Sequence, residues 1–95
     1  MKQTKNTYYL KPQFDNAKSF YNKAVVIENE NTKTLKSYNT NILTLDTNTN
    51  TLTFLTKNKD HFTMTTNRHI NEFLQQFTNH TKKTKSELLK LANII

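Results

Sequence analysis

A chain of 95 residues, 34% of them apolar, with a formal net charge of +7, makes one small domain with a modest core. Six Phe and four Tyr keep it out of the disordered class, and zero Cys excludes disulfides, thiolate metal sites, cysteine nucleophiles and the zinc chemistry of base deaminases. Zero Gly excludes phosphate-cradling loops of the P-loop and dinucleotide kinds, so no cofactor is expected.

Lys and Asn number 13 and 14, against one Arg and one Pro. AT-rich codons produce that bias, which suggests a low-GC bacterium or one of its phages or plasmids. Part of the charge is therefore a codon effect rather than a signature of a nucleic-acid partner. Residues 1–7 are polar and lead into no apolar run of signal-peptide or membrane length, so the expected location is the host cytosol.

The expected fold is α+β: an antiparallel meander of four to five strands packed by one helix, then a C-terminal helix, all within a single domain spanning 1–95. Residues 1–22 form an aromatic segment that Pro12 interrupts. Phe14, Ala17 and Tyr21 have helical spacing there, balanced evenly against irregular chain. Residues 23–65 read as the meander. Strands are expected at 24–28, 35–38, 42–45 and 51–54, with a fifth at 61–65 in which Phe62 and Met64 face one way. Asn sits at nearly every turn, where it is the available substitute for Gly at positive φ.

The period then changes from 2 to 3.6. Ile70, Phe73, Leu74 and Phe77 form an apolar stripe on a helix at 66–79, capped by Thr65 or Thr66. Thr84 and Glu87 have capping-box spacing for a second helix at 84–95, with Leu88, Leu91, Ala92 and Ile95 as its stripe. Such a face docks on its own domain or on a second copy, which leaves a homodimer through the C-terminal helix open.

Catalytic chemistry is not expected. Ser19, Ser37 and Ser86 pair with His61, His69 or His80 in no recognisable motif, and the seven acids are scattered. His69 and Glu72 stand i, i+3 and lack a third metal ligand, and His80 lies about 16 Å further along a helix axis. Surface recognition remains. Lys82, Lys83 and Lys85 cluster between the helices with Lys90 beyond them, and Lys36 lies in the hairpins. Tyr38 or Phe54, if outward, would stack on bases. Arg68, the single Arg, offers a planar fork either for an internal pair with Glu72 or for a ligand.

Ser37-Tyr38-Asn39-Thr40 followed by Thr65-Thr66-Asn67-Arg68-His69-Ile70-Asn71-Glu72-Phe73-Leu74 resembles a small uncharacterised domain family of Gram-positive phages and plasmids, over roughly residues 18–77. The resemblance implies a mobile-element accessory protein, a setting in which anti-CRISPR inhibitors are common. It leaves the C-terminal basic helix outside the shared region, as the place where specific binding would reside. The leading expectation is thus a non-catalytic inhibitor of a host defence nuclease or its guide-bound nucleoprotein complex. The alternative is a stand-alone DNA- or RNA-binding accessory protein. No membrane partner is expected.

Overall fold

The computed structural model describes residues 6–95; the first five residues of the expected aromatic segment lie outside them. Alternating apolar and polar residues make a five-stranded antiparallel meander: β1 Asn6–Tyr9, β2 Ala24–Glu28, β3 Thr32–Ser37, β4 Thr40–Asp46 and β5 Thr51–Phe54, in spatial order β1-β2-β3-β4-β5. Val26, Leu35, Leu43 and Phe54 stand opposite one another across four strands and are buried. A register shift after Leu35 inserts a bulge in β4, and both Ile42 and Leu43 enter the core. The opposite face carries Thr7, Ile27, Thr34, Thr44 and Thr53 in one row and Tyr9, Val25 and Lys36 in the next, all partly or fully exposed.

The helices cover the apolar face. α1 spans Met64–Phe77 and buries Ile70, Phe73 and Leu74, each of which contributes about 1.5–3 kcal/mol by leaving water. α2 spans Lys85–Leu91, opens with the expected Thr84–Glu87 capping box and buries Leu88 and Leu89 in the same core. It ends sooner than the apolar stripe suggests. Asn93 takes φ 61°, Asn93 N–H bonds Lys90 C=O and Ile94 N–H bonds Leu89 C=O at 2.9 Å, which is a Schellman stop built on Asn in place of Gly.

Two expectations at the element level are corrected, and a third that was evenly balanced is resolved. The fifth strand is β1, at the edge beside β2, whereas residues 61–65 hold the end of a 3₁₀ turn, Lys59–His61, and the entry to α1. Phe62 plunges into the core while Met64 is 83% exposed, so the two do not face one way. Thr63, not Thr65 or Thr66, caps α1, its side chain accepting from Thr66 N–H. Finally, residues 14–21 form bends rather than a helix, and the backbone N–H groups of Phe14 and Asp15 bond to a side chain of α1 instead of to the local chain.

Candidate functional site

Four polar residues of α1, Thr66, His69, Asn71 and Glu72, are buried, and together with the exposed Arg68 they reach several segments. Glu72 accepts hydrogen bonds from the backbone N–H groups of Gln13, Phe14 and Asp15 at 2.9–3.0 Å, and from Gln76 Nε2 at 2.7 Å. Gln76 Nε2 also donates to Lys11 C=O at 2.7 Å. One turn earlier, Arg68 forms a two-pronged pair with Asp15, its Nε donating to Oδ2 at 3.0 Å and its Nη2 to Oδ1. The expected Arg68–Glu72 pair is therefore replaced by Arg68–Asp15. The guanidinium holds the Asp15 carboxyl down at about 2, and the pair stays ionised.

Asn71 bonds Lys83 through both amide atoms, Nδ2 to the carbonyl at 2.9 Å and Oδ1 from the N–H at 2.8 Å. This bidentate clamp fixes the loop that carries Lys82 and Lys83 and leads to Lys85 at the start of α2. Thr66 and His69 both meet Ser37, with Oγ–Oγ1 and Oγ–Nδ1 separations of 2.9 Å. Ser and His are thus not all unpaired, as their spacing in sequence suggested. Ser37 is buried where β3 packs against α1. Burial, reinforced by the like charge of Arg68, pushes the His69 imidazole down to about 4. His69 and Glu72 point to separate partners, so their i, i+3 spacing makes no chelate.

Three clefts follow one another around this hub. The first, of about 1000 Å³, includes Tyr9, Lys11, Lys36 and Tyr38 in its walls. The second, about 610 Å³, shares Tyr38 and adds Lys18, Tyr21, Lys23 and Arg68. The third, about 550 Å³, shares Arg68 and adds Phe14, Met64, Lys82, Lys83 and Lys85. The one acidic residue in their combined lining is Asp15, which Arg68 already neutralises. Six of the seven expected site residues lie on this continuous surface. Lys90 lines none of the three clefts, and Phe54 faces inward, stacked on Phe62 at 6.1 Å between ring centroids.

The sequence pattern did not expose the tyrosines as a set. Tyr21 and Asn22 occupy the centre of a tight turn at φ 53° and 62°, closed by Lys23 N–H to Phe20 C=O at 2.9 Å. Tyr38 opens the two-residue β3–β4 hairpin loop at φ 55°, and its N–H bonds Lys23 C=O at 2.7 Å, which draws the two turns together. Left-handed backbone costs a side chain with a bulky Cβ substituent roughly 1–2 kcal/mol. Asn stands next to both Tyr, and Asn accepts this conformation more readily. The strained positions nonetheless carry rings that are 78% and 48% exposed.

A family model described as a family of unknown function, DUF8033, matches residues 8–90. The match runs beyond residues 18–77 and takes in the basic loop and most of α2, so the C-terminal basic helix does not lie outside the shared region. Neither the curated proteins nor the solved structures contain a match.

Proposed function

The chain belongs to this family of unknown function, and we propose that it is a non-catalytic protein that binds single-stranded nucleic acid along the three clefts. The observation that carries the reading is the pair of exposed tyrosines, Tyr21 and Tyr38, held at positive φ within a basic surface. Strain retained at solvent-exposed rings does nothing for the core, and it is a mark of functional positions. Tyrosine faces stack on unpaired bases of any sequence, while Lys11, Lys18, Lys23 and Lys36 beside them neutralise the backbone. A duplex hides the faces of its bases and offers such rings little.

The test is fluorescence anisotropy of a labelled oligonucleotide, single-stranded and as a duplex, over a salt series. With about four phosphates neutralised, single-strand affinity should fall roughly 50-fold between about 50 and 200 mM salt. Absence of binding at low salt, or preference for the duplex, would reject the reading.

A second reading keeps the expectation of a mobile-element inhibitor acting on a host defence nuclease or its nucleoprotein complex. Phe14 and Met64 favour it, standing 57% and 83% exposed in the cleft that Lys82, Lys83 and Lys85 line. Apolar anchors ringed by positive charge suit an acidic protein surface rather than a phosphate backbone. Met64→Ser separates the two, since it removes the apolar anchor without adding charge to a cleft on the strand's path. It should abolish capture of a nuclease target and leave oligonucleotide binding within about twofold.

A further inference from the structure

The second cleft contains a group that general strand binding does not use. His69 has no solvent exposure, and among the described residues nothing bonds its Nε2. The ring lies under Phe20, at 4.6 Å between centroids, and Tyr38, at 6.1 Å. Aromatic faces are weak acceptors and leave such a group short of a full hydrogen bond.

The hydrogen-bond chain assigns its proton. Among the described residues Thr66 Oγ1 has Ser37 Oγ as its one hydrogen-bond partner, so the Thr66 hydroxyl donates to Ser37. The single Ser37 proton then goes to His69 Nδ1, at 2.9 Å. A neutral imidazole whose Nδ1 accepts carries its proton on Nε2. The reverse order would strand the Thr66 proton and the Nε2 lone pair together, two unmet groups instead of one. His69 is among the residues that line the second cleft, so its unmet Nε2–H lies in or behind that cleft's wall, and unmet buried donors are rare in folded proteins.

We propose that this cleft receives one base of the bound strand and selects a base with a ring carbonyl oxygen, which accepts from His69 Nε2–H. The inference rests on the single-strand reading and narrows it to a chemical class of base. Tyr38, on the tip of a hairpin, turns aside to admit the base edge and then stacks with Tyr21 against its faces. The Nη1 of Arg68, left free by the Asp15 pair, meets the adjoining phosphate together with Lys18 and Lys23. Thymine, with two ring carbonyls, fits this donor; adenine has none.

Anisotropy with labelled oligothymidylate and oligodeoxyadenylate of equal length tests the assignment. One neutral hydrogen bond should favour oligothymidylate by about three- to tenfold. Equal affinity for the two in the wild-type protein overturns the inference, and leaves strand binding itself standing; no binding of either removes the underlying reading as well. His69→Phe, which keeps a ring and removes the donor, should equalise the two affinities. A persistent preference in the folded variant overturns the role of Nε2–H. Should that variant fail to fold, Tyr21→Asn, at a surface position, should weaken both oligonucleotides at least fivefold. An unchanged affinity there overturns the placement of a base in this cleft.

Discussion

His69, Tyr21 and Tyr38 set the chemistry at the scale of single residues. The folded imidazole of His69 sits at about 4, below the value of about 6.5 it has in an unfolded chain. Between those values the unfolded chain binds the extra proton, so stability falls as pH is lowered through that window. Because local opening lets the buried ring take up its proton before the whole chain unfolds, the loss is on the order of 1–2 kcal/mol. Urea denaturation at about pH 7 and pH 4.5 measures it, and Asp15 extends the loss further down, where its carboxyl titrates at about 2. Nitrogen-detected NMR of the ring should find Nε2 protonated and Nδ1 not. The tyrosines invite the opposite kind of change. Tyr21→Asn removes a left-handed aromatic residue and should stabilise the fold by about 0.5–1 kcal/mol, raising Tm by a few degrees while binding weakens. A drop in Tm would show that the Tyr21 ring serves the fold instead. Tyr38 was legible as a residue that could stack on bases, whereas Tyr21 was not, and at the β3–β4 hairpin the positive φ falls on Tyr38 rather than on Asn39, the residue that the turn pattern favoured.

At the scale of elements, α1 is the hub, and its side chains decide where the irregular segments lie. Glu72 holds the backbone of residues 13–15, and Glu72→Gln replaces an accepting oxygen with a donor facing those N–H groups. The expected cost is about 1–3 kcal/mol, with faster amide hydrogen exchange at residues 13–15 and little change in β3 and β4. The regular elements with a clear period were legible: β2 and β5 appear with their expected bounds, β3 and β4 within a few residues, and α1 through its apolar stripe. β1 was not, because Tyr8-Tyr9-Leu10 does not alternate and its partner strand is reached only after a long irregular connection. Residues 61–65 imitated a strand because Phe62 and Met64 are two apart, although Thr63 between them is a helix cap. The Arg68–Asp15 pair joins residues 53 apart, whereas Glu72, on the same helix, was the partner that local spacing favoured.

At the scale of the whole molecule, one face of the sheet is sealed by α1 and α2, and the basic clefts wrap the end where the β1–β2 connection, the β3–β4 hairpin and the start of α1 meet. The apolar face of α2 is used by its own domain, with Leu88, Leu89 and Ala92 buried, which leaves a small C-terminal patch around exposed Ile95 for any second copy. Replacing Lys82, Lys83 and Lys85 together by Ala should leave Tm nearly unchanged. The log–log salt slope of single-strand binding should shrink by about 0.7 for each phosphate that these lysines no longer neutralise. An unchanged slope would remove the third cleft from the strand's path. The charge cluster was legible as a run in sequence; its continuity with Tyr38 and Lys36 through Arg68 was a product of the fold. The most direct measurement is an amide NMR titration of the isotope-labelled protein with short single-stranded oligothymidylate at low salt. Saturable shifts centred on Tyr9, Tyr21, Tyr38 and Arg68, reversed by added salt, are the expected result. An absence of shifts, or shifts confined to the β4–β5 loop at residues 47–50, would contradict a strand-binding surface.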